Sequence, residues 1–183
     1  EGDFLKDSKN PAPVLADLLV RERAHIHTRL ASQGMSVSAL NNYLDSPWRY
    51  FFQNLLRVPS TKEPHQHFGT AMDSALKLAT QMEREGSVAS DRVCGEFERV
   101  LFSAPMREVD RTAYLKRGRD ALLGYMKQYG GGTQAEVDAG IRFSVPFATG
   151  LAELPEITLH GEYDRVEFLE GGAVRVVDFK TGS

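Results

Sequence analysis

Residues 161–182 read GEYDRVEFLEGGAVRVVDFKTG, and this stretch decides how the carboxyl-terminal part of the chain folds. Residues 163–168 and 174–180 are rich in β-branched and aromatic side chains, which favour strands. The intervening EGG at residues 170–172 tolerates positive φ angles, as a tight loop requires. The pattern therefore predicts an antiparallel β-hairpin.

One pairing register of this hairpin accounts for its apolar and its charged residues together. With Leu169 paired to Ala173 across the loop, apolar side chains face each other in two pairs, Val166 with Val176 and Phe168 with Val174. The same register sets Asp164 opposite Asp178. Lys180 shares their face because strand side chains alternate. A shift of one residue would scatter the three charges over both faces.

Two carboxylates that face each other on a sheet destabilise it unless something compensates their repulsion. A hard cation such as Mg²⁺ or Mn²⁺ would do so, because it prefers oxygen ligands. A cation at Asp164 and Asp178 could polarise a phosphate oxygen and lower the pKa of a bound water. Lys180 could orient that water or stabilise charge in the transition state.

The same charges also fit an ordinary solvated hairpin in which Lys180 bridges Asp164 and Asp178. The charge pattern alone favours this alternative. A strand that is covered on both faces would favour the metal site, because buried charges need compensation. The apolar residues that predict such a strand are Val176, Val177 and Phe179.

These residues resemble motifs II and III of the PD-(D/E)XK nuclease superfamily. They are most similar to its RecB-like branch, found at the ends of UvrD-type helicases and in AddAB or RecBCD helicase-nucleases. Residues 36–52 (SVSALNNYLDSPWRYFF) and 68–73 (FGTAMD) resemble the helical segment and the glycine-led helix that precede those motifs in that branch. The resemblance covers about residues 36–183.

The resemblance implies a metal-dependent deoxyribonuclease that uses Mg²⁺ or Mn²⁺, with exonuclease action favoured over endonuclease action. It implies DNA and an adjoining or partner helicase as partners, in recombination or repair. Asp164, Asp178 and the backbone carbonyl of Phe179 would be metal ligands, and Lys180 would position or activate the attacking water. The implied fold is a restriction-endonuclease-like α/β core.

The chain departs from the family pattern at three places. Asp73 stands where the family has a metal-binding histidine, and it could ligate a cation through oxygen. Ser46 stands where some members have an iron-sulfur cysteine, and the single cysteine of the chain, Cys94, excludes a four-cysteine cluster. The family also continues past motif III, so we expect the domain to be incomplete there, lacking a final helix and strand. Asp73 and the missing final helix favour one alternative: a catalytically inactive nuclease-like module that binds DNA or a helicase.

Basic residues near the aromatic and charged segments are the candidate DNA contacts. The net charge of −3 does not indicate a nucleic-acid-binding protein, but phosphate contacts depend on local clusters. The alternative is that such runs form solvated helix faces. The predicted DNA-binding residues are Arg49, Arg57, Lys116, Arg117 and Arg165.

The chain as a whole predicts a mixed α/β (α+β) fold, with a helical first half followed by a three-stranded sheet. We expect a linker at residues 1–12 and one RecB-like nuclease domain at 13–183, with a helical insertion at about 86–132. The lone cysteine predicts a reducing, cytoplasmic location, and no apolar stretch predicts a membrane partner. Helices are predicted at 13–34, after Ser36 or Ser38, after Ser46, and at 69–85, 90–104 and 108–129, and strands at 141–148, 156–168 and 174–180.

Overall fold

The computed structural model of the protein describes residues 20–129 and 136–181. The chain divides into two compact units, one of residues 1–59 with 144–161 and one of 60–143 with 162–183. The predicted linker at 1–12, the start of the first predicted helix and the triple glycine at 130–132 lie outside the described residues.

The first unit is built mostly from short helices whose ends follow from the local sequence. Gly34 has a φ of 67° and ends the first helix, and its N–H donates to the carbonyl oxygen of Leu30. Ser36 caps the next helix, since its Oγ accepts the N–H of Ala39 at 3.1 Å. Pro47 occupies the first turn of the third helix, as predicted. The elements are α1 (Arg23–Gln33), α2 (Val37–Asp45), α3 (Pro47–Tyr50) and a π-helix (Phe51–Leu55).

Three longer helices form the core of the second unit. They are α4 (Pro64–Arg84), α5 (Ser90–Ser103) and α6 (Glu108–Tyr129). Helix α4 starts at Pro64 rather than at the predicted Gly69, because Glu63 and Gln66 form a reciprocal capping box. The buried side chains that hold the helices together include Phe68, Ala71, Ala75, Leu76, Ala79, Met82, Val93, Phe97, Leu101, Leu122 and Met126.

A four-stranded mixed sheet completes the fold, with strand order β1-β3-β2 and β4 also paired to β3. The expected mixed α/β class is confirmed, but the expected number of three strands is wrong. The additional strand β1 has only two residues, which is too short to leave a periodic signal, and it pairs in parallel with β3 at Leu159 and His160. The strands are β1 (Met35–Ser36), β2 (Glu136–Leu151), β3 (Leu154–Phe168) and β4 (Val174–Val177).

The β3–β4 hairpin is not covered on both faces, so that prediction is wrong. Val174 and Val176 are 55% and 51% exposed, and Phe168 is 42% exposed. Val166, their neighbour on β3, is 4% exposed, and β4 is bonded to β3 alone among the described strands. Separately, none of the helices in the described ranges is long and apolar enough to cross a membrane.

Candidate active site

The hairpin has the predicted register. Val166 pairs with Val176, Phe168 pairs with Val174, and the N–H of Leu169 donates to the carbonyl oxygen of Ala173 at 2.8 Å. The loop Glu170–Gly172 contains two glycines with positive φ, 74° and 78°. The ladder pairs residues 165–168 with 174–177 and ends there, so the predicted strand at 174–180 is too long by three residues. Asp178 and Lys180 follow the strand, and their placement on one face with Asp164 stays a prediction.

Beyond Val177 the backbone hydrogen bonds between β3 and β4 end, and a side chain of β3 binds the following backbone instead. The Oδ2 atom of Asp164 accepts the N–H of Phe179 at 2.8 Å. This bond ties Asp164 to the segment that carries Asp178 and Lys180. It also satisfies a half-buried backbone donor that would otherwise lack a partner.

Lys180 forms an ion pair with Asp178, and both side chains are exposed. Its Nζ lies 2.6 Å from Oδ2 of Asp178. The hydrogen bond to Asp178 raises the pKa of Lys180, and the charges of Asp178 and Asp164 act in the same direction. Lys180 is therefore protonated at neutral pH. In this state it can orient a water or stabilise an anion, but it cannot accept a proton.

Asp73 belongs to a charge network that includes a second β3 carboxylate. Lys77 Nζ lies 3.1 Å from Asp73 and 2.6 Å from Glu162, and Arg142 lies 3.5 Å from Glu162. The hydrogen bond between Lys77 and Glu162 raises the pKa of the lysine and lowers that of the glutamate. Sequence reasoning missed Lys77 and Glu162, although Glu162 precedes Asp164 by two residues, the spacing that places both on one strand face.

The start of α4 meets the segment that follows Lys180. A Cβ at Gly69 would lie 3.3 Å from Oγ1 of Thr181, so a side chain there would press on this segment. Arg117 donates to the carbonyl oxygen of Thr181 at 3.4 Å, and its guanidinium lies 5.4 Å from the ring centroid of Phe68. Arg117, whose side chain is exposed, thus lies next to the segment that follows Lys180.

Arg165 occupies a different place from the one expected of a DNA contact. It is 4% exposed and donates to Glu83 at 2.5 and 3.2 Å and to Glu167 at 2.9 Å. Thr80 lies 3.4 Å away, and Glu167 also accepts from Arg175 at 3.0 Å. The prediction that Arg165 contacts DNA does not fit this burial, because its guanidinium joins β3 to α4.

The other predicted DNA contacts have exposed side chains. Arg49 of α3 pairs with Asp45 at the end of α2, at 2.8 Å. Arg57 donates to Oε1 of Gln33 at 3.0 Å, and Lys116 is exposed on α6. Because these side chains are exposed, they could reach phosphate groups, and their contacts with DNA stay a prediction.

The oxygen atoms of the hairpin fit a hard divalent cation. Oδ2 of Asp164 and Oδ2 of Asp178 are engaged by Phe179 and Lys180, which leaves the second oxygen of each carboxylate without a partner in the described part of the chain. Carboxylate and carbonyl oxygens are the ligands such cations prefer. Across residues 20–129 and 136–181, no three His, Cys, Asp or Glu side chains are grouped to hold a metal ion. The role of Asp73 as a further ligand therefore stays a prediction.

Comparison with known proteins gives one match. The family model described as the PD-(D/E)XK nuclease superfamily matches residues 34–183, which include α2 to α6 and the sheet. No curated protein and no solved structure matches the chain. The matched range contains the hairpin with Asp164, Asp178 and Lys180. The chain belongs to the PD-(D/E)XK nuclease superfamily.

Proposed function

We propose that this domain hydrolyses phosphodiester bonds of DNA with the help of Mg²⁺ or Mn²⁺. The observation that carries the proposal is the hydrogen bond from the N–H of Phe179 to Asp164, which joins one carboxylate to the segment bearing Asp178 and Lys180. Superfamily membership supports a nuclease, and the oxygen-rich donor set supports a hard cation.

Each residue of the hairpin has a separate task in this proposal. Asp164 and Asp178 hold the cation, with the carbonyl oxygen of Phe179 as a further ligand. When bound, the cation polarises a phosphate oxygen and makes a water more acidic. Lys180, protonated beside Asp178, donates hydrogen bonds to the attacking water or to the phosphate oxygen on which charge develops.

The setting of the reaction rests on the RecB-like resemblance alone. On that basis the domain acts as an exonuclease within a cytoplasmic helicase-nuclease, in DNA recombination or repair. The helical segment at residues 36–52 and residues 68–73 within α4 support this branch of the superfamily, since both occur in its order along the chain.

Cleavage of single-stranded and duplex DNA tests the proposal. The protein is compared with Asp178→Ala in the presence of Mn²⁺, of Mg²⁺ and of EDTA. Asp110→Ala is the matched control, because it removes an equivalent charge from a surface ion pair with Arg107. We expect cleavage that requires the cation, that survives in the control and that falls by at least about a hundredfold in Asp178→Ala. Equal activity in all three proteins, or cleavage unaffected by EDTA, would contradict the catalytic assignment.

A nuclease-like module that binds DNA or a helicase without cutting is the second candidate. Two observations favour it: Asp73 is paired with Lys77, and the described residues offer no group of three potential metal-binding side chains. This candidate predicts DNA or helicase binding by a folded protein that shows no cation-dependent cleavage. The cleavage experiment therefore decides between the two.

A further inference from the structure

The first unit contains a cavity of about 540 Å³ that is lined by both polar and apolar residues. This volume lies within the range of about 300–1,000 Å³ that small-molecule sites occupy, and it exceeds what a single small anion needs. The polar side chains that line the cavity include Arg29, Gln33, Gln53, Asn54, Arg57 and His160.

The cavity is rich in cationic groups and hydrogen-bond donors. Two arginines line it, and no acidic side chain is found among the described residues of its wall. Asn42 donates to the amide oxygens of Gln53 and Asn54, at 3.2 and 3.0 Å. Their NH₂ groups are therefore left as donors. The chain as a whole has a net charge of −3, but the cationic groups and hydrogen-bond donors of this wall are suited to an anion.

The two arginines are anchored by neutral acceptors. Arg29 donates to the carbonyl oxygen of Leu55 at 2.6 Å and to Oε1 of Gln33 at 3.5 Å, and Arg57 donates to the same Oε1 at 3.0 Å. Neither forms an ion pair with a residue in the described ranges. A guanidinium has five N–H donors, so each arginine is fixed in place and keeps donors for a ligand.

Arg57 also has a strained backbone. Its φ is 53°, and it is the non-glycine residue with positive φ among those described. An arginine in this conformation is less stable than a glycine would be. Strained residues of this kind cluster where a side chain serves a ligand. A requirement for the Arg57 guanidinium in ligand binding would explain why an arginine, and not a glycine, has this backbone conformation.

We propose that this cavity binds a phosphate group of a DNA strand through Arg29 and Arg57, with the amides of Gln53 and Asn54 donating to the attached nucleotide. Planar guanidinium groups bind phosphate with paired hydrogen bonds, and the volume admits a nucleotide around that phosphate. The choice of DNA as the source of the phosphate rests on the function proposed above, whereas the anion site rests on the cavity itself.

Fluorescence anisotropy of a labelled single-stranded oligonucleotide, measured in EDTA, tests this site without cleavage. Arg57→Gly removes the guanidinium, and Arg23→Ala is the matched control, because it removes an exposed arginine of the same unit that pairs with Glu153. Arg57→Gly is expected to weaken binding about tenfold. It should also reduce the slope of log K against log salt by about 0.7. The control should change neither value.

Thermal unfolding separates this effect from misfolding. Arg57→Gly relieves the positive-φ strain, so its Tm should equal or exceed that of the unchanged protein. Arg57→Asn, which also tolerates this backbone conformation, should weaken binding to a similar extent. Affinities of both variants within twofold of Arg23→Ala would overturn the proposal.

A further measurement identifies the ligand. Because the anisotropy is measured in EDTA, oligonucleotide binding that depends on Arg57 is tested whether or not the nuclease assignment is correct. In calorimetry, inorganic phosphate should bind and should compete with the oligonucleotide. Phosphate binding that depends on Arg57, without any oligonucleotide binding, would overturn DNA as the ligand.

Discussion

Replacing Arg165 by methionine tests the buried ion network that joins β3 to α4. The substitution keeps much of the side-chain volume but removes four hydrogen bonds: two to Glu83 at 2.5 and 3.2 Å, one to Glu167 at 2.9 Å and one to Thr80 at 3.4 Å. Both glutamate side chains are less than one-tenth exposed, so solvent cannot replace these bonds fully. Charge-assisted bonds each contribute about 1.5 kcal/mol or more, and breaking one partner of a buried pair costs about 3–5 kcal/mol. We expect a loss of about 3–5 kcal/mol in the free energy of unfolding.

Urea unfolding followed by circular dichroism measures this loss, with Arg175→Met as the matched control. Arg175 also binds Glu167, at 3.0 Å, but its side chain is 62% exposed. We therefore expect the control to lose no more than about 1 kcal/mol. Equal losses in the two variants, or a more stable Arg165→Met, would refute the reasoning.

Three further predictions concern stability. Gly118→Ala should lower the free energy of unfolding by about 1–3 kcal/mol in urea titration, because its Cβ would lie 2.1 Å from the buried Phe97 ring; an unchanged midpoint would contradict this. Gly34→Ala should reduce the soluble folded yield, because the new methyl group would lie 2.3 Å from a β3 carbonyl oxygen at a φ of 67°; a wild-type yield and Tm would contradict it. Glu96 has a pKa lowered to about 2, chiefly by its hydrogen bond to Arg99. Its contribution, up to about 3 kcal/mol, should be present above pH 4.5 and lost as the pH falls to 2, so Glu96→Gln should reduce the acid sensitivity of the Tm.

The hairpin register followed from the sequence because its information is local. Val166 and Phe168 could only be matched to Val176 and Val174 by one alignment across the loop at residues 170–172. The observed pairing ends at Arg165 and Val177, so the predicted facing of Asp164 and Asp178 stays a prediction. Two helix starts were predictable for the same reason, one capped by Ser36 and one with Pro47 in its first turn.

Other features depended on contacts between distant segments. Arg165 was predicted to contact DNA, yet its guanidinium is buried and donates to Glu83 and Thr80 of α4. The pairing of Lys77 with Glu162 joins residues 85 positions apart, and no periodicity encodes it. Strand β1 was missed because two residues pair with β3 without any pattern of their own.

Calorimetric titration with Mn²⁺ tests most directly the claim that Asp164 and Asp178 form a cation site. The unchanged protein should bind Mn²⁺, and Asp164→Asn and Asp178→Asn should each reduce the affinity by at least about tenfold, because each removes one of two charged ligands. Asp110→Asn should bind as the unchanged protein does. Mn²⁺ binding of undiminished affinity in Asp164→Asn and Asp178→Asn would contradict the account.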